Sequence, residues 1–175
     1  MILIMTRTAK LDNRTARRFK RLGDIGESLT EELLTANGFA NIQNLNRLKK
    51  NFPFADFYAE KDGVRYVISV KMRNKYEFTR DGVRRLNSRY KLGSRCYEHA
   101  KVAEDQFDAI AAWITISLDS KAYCAYFGLL SSLNGSRGVN MSEKAVAKHQ
   151  CLANNTPHSF DYSEIQNVYL LCGDD

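Results

Sequence analysis

No stretch of the 175-residue chain stays apolar over the length that a bilayer crossing needs. The opening MILIM is apolar, but it has no basic run before it and no small-residue cleavage site after it. It reads as a short strand or an expression start rather than a secretory leader. The four cysteines (Cys96, Cys124, Cys151, Cys172) form no close pair, which argues against a disulfide framework and suits a reducing, cytoplasmic setting. Internal repeats and low-complexity linkers are also missing, so residues 1–175 read as one α/β domain. The length is sufficient for a sizeable core.

What is present is positive charge, and it is localised. The net charge is +6. Between Met1 and Asn51, ten Lys/Arg face five Asp/Glu; between Lys71 and Lys101, ten face three; from Val102 onward, four face nine. Clustered Lys/Arg on part of a fold is the footprint of a phosphate-backbone partner, although a solvated basic surface has the same composition.

Residues 12–36 repeat Phe19, Leu22, Ile25, Leu29 and Leu33 at helical spacing, with Gly38 as a stop. FADFYAE and VRYVISVKM alternate as strands around KDG, a hairpin signature. Ser69 and Lys71 share one face of the second strand, and Ile68, Val70 and Met72 take the other. The basic run from Arg73 to Arg95 reads as extended structure and loop. SRCYEHAKVAEDQF reads as a short helix, DAIAAWITISL and AYCAYFGLL as apolar central strands, SEKAVAKHQCLAN as a late helix capped by Ser142, and HSFDYSEIQNVYLLC as a returning strand. The expected architecture is a mixed central sheet flanked by helices.

Asp56 closes the approach to one hairpin strand, and Lys71 lies on its partner. An aspartate and a lysine so placed can meet one phosphate. The carboxylate would hold a hard cation, with the Val70 carbonyl as a further oxygen ligand. RLGDIGESLTEELLTANGF, then PFADFYAE, then GVRYVISVKMR, together resemble the PD-(D/E)XK nuclease superfamily, nearest to its small homing-endonuclease-like and Holliday-junction-resolvase-like members. The resemblance implies a restriction-endonuclease-like fold and a divalent-metal-dependent DNA endonuclease using Mg²⁺ or Mn²⁺. It implies Glu27, four residues after Gly23, as a metal ligand with Asp56 (Glu31 being the fallback), and Lys71 as the catalytic lysine. On a helical wheel alone Glu27 falls away from the apolar stripe, where a solvated glutamate is expected.

Two departures stand out. Ala55 occupies the position of the name-giving proline, and Ser69 that of the second acidic residue. Ser69 supplies a hydroxyl that can ligate or orient a metal-bound water, and so counts among the expected catalytic residues, but it brings no charge, leaving Glu27 and Asp56 as anionic ligands and Glu77 as a weaker candidate. Arg73, Lys75, Arg80, Arg84, Arg85 and Arg89 are the expected phosphate-binding residues. The aromatics among them could stack on bases or serve as core anchors. A homodimer or tetramer is the economical expectation for cutting two strands. The alternatives are a non-catalytic DNA-binding module of the same fold, or a junction-specific or RNA-acting nuclease. Cys96, His99, His149 and Cys151 offer a further, structural-zinc alternative.

Overall fold

Leu22, Ile25, Leu29 and Leu33 form the buried side of α1 (Asn13–Ala36). In the computed structural model, which describes residues 13–48 and 52–166, the chain turns at Gly38. Its φ of 80° lets the Phe39 N–H reach back to the Leu34 carbonyl at 3.0 Å. Phe19, the first member of the stripe, is 38% exposed, and the guanidinium groups of Arg18 and Arg73 lie over its ring. MILIM and the end of the expected last strand lie outside the described residues; within them, residues 158–166 contain one 3₁₀ turn, Tyr162–Glu164.

The polar stretch after α1 holds β1 (Ala40–Asn44) and a single turn, α2 (Leu45–Leu48). The hairpin forms as expected: β2 (Phe57–Lys61) pairs with β3 (Val64–Asn74) from Phe57↔Ile68 to Lys61↔Val64. Its turn residues Asp62 and Gly63 both have positive φ, as a two-residue hairpin loop requires. The basic run is extended. Within it β4 (Tyr76–Phe78) and β5 (Arg84–Leu86) make a two-stranded arm, and β6 (Arg89–Lys91) pairs later with β9 (Gly138–Asn140). Then come α3 (Cys96–Phe107), β7 (Ile110–Leu118) and β8 (Ala122–Leu129).

The expected late helix is reduced to α4 (Glu143–Val146), and Ser142 makes no side-chain cap bond there. Gln150–Pro157 is instead a strand, β10, along the outer edge of β8. Its two register irregularities break the alternation by which a strand is read from sequence, while the edge of β8 supplies the hydrogen bonds.

The main sheet runs β1-β2-β3-β7-β8-β10 and is mixed: β3 and β7 are parallel, and the other neighbours are antiparallel. A parallel pair needs a crossover, and α3 lies in it. The sheet buries both faces. Ile68, Met72, Ala112, Ile114 and Ile116 pack with α1, and Val67, Ala111 and Trp113 pack with Cys96, Ala100 and Ala103 of α3. The result is the expected α/β architecture, a mixed sheet with helices on its two faces. Among the described residues no helix is long and apolar enough to cross a membrane.

Candidate active site

The hairpin strands are unequal in length, and that inequality makes the site. The pairing of β2 begins at Phe57↔Ile68, so β3 runs on past it without a β2 partner. The Asp56 N–H donates to the Ile68 carbonyl at 2.8 Å, and its Oδ2 then accepts the Val70 N–H at 2.7 Å. A carboxylate thus substitutes for the next residue of a strand. Leu45 N–H donates to the Asp56 carbonyl at 2.8 Å, which seats α2 beside it. Upstream, Phe54 adopts a φ of 64°, uncommon for a bulky residue, and the Ala55 N–H bonds to the Pro53 carbonyl at 2.8 Å. A proline at 55 would lack that donor.

Glu27 arrives from α1. Gly26 is buried, and a Cβ on it would stand 3.1 Å from the Cβ of Met72, so the helix sits close on β3 at this point. The next residue is carried to the sheet edge. Both Glu27 oxygens are engaged: Asn44 Nδ2 donates to Oε2 at 3.0 Å and Asn46 Nδ2 to Oε1 at 2.7 Å. The same Asn46 nitrogen lies 3.2 Å from Asp56 Oδ1. One amide therefore joins the two carboxylates.

Glu27, Asp56 and Lys71 line two adjoining cavities. The larger, about 750 Å³, also takes in Asn46, Lys20 and the start of α3 with Arg95 and His99. The smaller, about 210 Å³, adds Val70, Arg73 and the glycine face of α1. Burial pushes the Asp56 carboxyl above the ordinary aspartate range; Lys71, the Val70 N–H and Asn46 oppose this, and the Glu27 charge adds to it.

The remaining expected residues are distributed as follows. Ser69 lines neither cavity. It is buried beside Trp113 in the sheet register, and its Oγ has no hydrogen-bond partner. Glu31 is half-buried, accepts from Arg47 at 3.3 Å and lines neither cavity. Glu77 is bridged to Arg18 at 3.2 Å, tying α1 to the β4–β5 arm. Arg73 separates from the other five basic residues: it is part-buried, bonds to the Met72 carbonyl, and is held below the ordinary guanidinium range by burial and then by Arg18. Arg80, Arg84 and Arg85 are exposed on the arm, where Lys75 and Arg84 both lie against the Tyr76 ring. Arg89 is exposed on β6 and bonds to Ser136.

The zinc alternative is not realised. No group of three or more His, Cys, Asp or Glu that could hold a metal occurs among the described residues, and His149 Nε2 bonds to the Asn140 carbonyl. Sequence reasoning passed over Asn44 and Asn46. Their signal is two asparagines two apart at a strand end, where asparagine is otherwise disfavoured.

No protein-family model matches the chain, and no curated protein matches it. Among solved structures it is similar to Hjc, a Holliday junction resolvase from the archaeal hyperthermophile Archaeoglobus fulgidus. The TM-score is 0.48 at 21% identity, over 73% of this chain and 91% of that one.

Proposed function

We propose that the chain is a divalent-metal-dependent DNA endonuclease whose site is Glu27, Asp56 and Lys71. The observation that carries this reading is the convergence of two carboxylates, joined by one amide, with a lysine on the same cavity wall. The donor set fits a hard cation. Glu27 and Asp56 offer carboxylate oxygens, and the Val70 carbonyl leaves β3 on the same side as the N–H that Asp56 accepts. Two carboxylates and a neutral oxygen suit Mg²⁺ or Mn²⁺, which keep several waters, and do not suit a soft metal. When bound, the ion polarises the phosphoryl oxygen and acidifies water.

The chain's own residues supply the remainder. Asp56 and Glu27 hold the ion at the open end of the hairpin. Lys71 orients the attacking water and offsets charge on the phosphate. Arg73, over the Phe19 ring and lining the smaller cavity with it, holds a phosphate at the cavity edge. The Arg18–Glu77 bridge sets the basic helix and the β4–β5 arm side by side, giving the duplex one positive surface.

Incubation with supercoiled plasmid tests the proposal. Wild type should nick it only with Mg²⁺ or Mn²⁺, and Lys71→Ala should lose on the order of 10²-fold in rate. Salt-sensitive DNA binding with no cleavage at any metal concentration would favour the non-catalytic module instead.

Ser69 admits a separate test, because a buried hydroxyl without a partner costs about 1–3 kcal/mol. Ser69→Ala should leave the fold as stable or more stable in urea titrations. A severalfold drop in nicking by the same variant would give that hydroxyl a role in orienting water. An unchanged rate would leave Ser69 with a packing role alone.

A further inference from the structure

Asn46 Nδ2 occupies an unusual position, 2.7 Å from a carboxylate oxygen of Glu27 and 3.2 Å from one of Asp56. A donor held between two anionic oxygens stands where a cation would otherwise be. An amide NH₂ cannot ligate a hard cation, but the oxygen at the other end of the same amide can. The two asparagines differ in their freedom to present it. Asn44 Oδ1 accepts the Asn46 N–H at 3.0 Å, so the Asn44 amide is fixed with its nitrogen toward Glu27. Asn46 Oδ1 accepts no bond from a described residue, and α2 is a single turn, so among the described residues rotation of its amide breaks the two carboxylate contacts and no other bond.

We propose that Asn46 is a metal ligand: its amide bridges Glu27 and Asp56 in the ion-free protein and turns to present Oδ1 when the ion binds. This rests on the metal site proposed above. It also answers the neutral residue at 69. Ser69 lies outside the cavity, and the third side-chain oxygen comes from Asn46, on α2, rather than from β3. Substituting an amide for a carboxylate lowers the negative charge facing the ion, so binding should be weaker than a three-carboxylate site would give.

Mn²⁺ titration of the full chain, followed calorimetrically and by the electron paramagnetic resonance of free Mn²⁺, separates ligation from simple positioning. Asn46→Ala should weaken Mn²⁺ binding about tenfold. Asn46→Asp should bind at least as tightly as wild type. An aspartate cannot donate to Glu27, so a residue that only held Glu27 in place would make Asn46→Asp as weak as Asn46→Ala. That result, or Asn46→Ala binding as tightly as wild type, overturns the assignment while leaving the Glu27–Asp56 site intact. Wild type with no Mn²⁺ binding at all would overturn the metal site itself, and the role of Asn46 with it.

Discussion

Asp56→Asn should reduce plasmid nicking on the order of 10³-fold and remove most Mn²⁺ affinity, while making the metal-free protein more stable at neutral pH. Both effects come from one feature. Burial raises the Asp56 carboxyl above its unfolded value of 3.8, so the charged form costs free energy in the folded state. Below pH 3.8 the group is protonated in both states and costs nothing. As the pH rises through the raised folded value, the unfolded chain has already released its proton and the folded one has not, so wild-type stability falls across that window. Above it, the full cost persists. Asparagine has no such equilibrium, and its side-chain oxygen can still accept the Val70 N–H. In thermal melts without metal, the gap between variant and wild type should open as pH climbs from below 3.8 to neutrality. Added Mn²⁺ should then raise the melting temperature of wild type alone. A variant less stable than wild type at neutral pH, or equally responsive to Mn²⁺, would show that Asp56 is a structural turn residue.

Much of the scaffold was legible because it follows simple periods. The α1 stripe, the DG hairpin and the doubly buried β7 are local patterns, and the structure contains them where residue spacing placed them. Glu27 was illegible to a helical wheel. The wheel looks for apolar side chains, whereas this side of α1 approaches β3 through the absence of a side chain at Gly26. Alternation correctly put Ser69 and Lys71 on one face, but it could not show that Ser69 is covered beside Trp113 while Lys71 reaches the cavity wall. Asn46 depends on contacts across 10 and 19 residues of chain, which no local pattern encodes. β10 was missed for the related reason that an irregular edge strand is defined by its partner.

The face that carries Lys71 depends on a packing arrangement four strands into the sheet, and Gly128→Ala is expected to break it, at a cost of about 3 kcal/mol. Trp113 on β7 lies directly opposite Gly128 on β8, and its indole covers the glycine. A Cβ at 128 would fall 2.2, 2.6 and 2.9 Å from three atoms of the ring. The ring cannot yield cheaply, because its Nε1 donates to the Leu129 carbonyl at 3.2 Å and the His149 ring packs edge-on against it at 5.0 Å. Displacing the indole also disturbs its neighbours under α3, among them Val67, Cys96 and Ala100, and Val67 lies on the same β3 face as Ser69 and Lys71. Trp113 is the only tryptophan in the chain, so its emission reports on this contact alone. Urea titration followed by that emission should show a native-state spectral change and a midpoint lower by about 1.5 M. Gly23→Ala, where an added Cβ meets nothing within 4 Å in the middle of α1, should instead gain up to about 1 kcal/mol. If the two variants unfold at the same midpoint, the indole does not rest on Gly128 and does not hold the α3 face of the sheet in place.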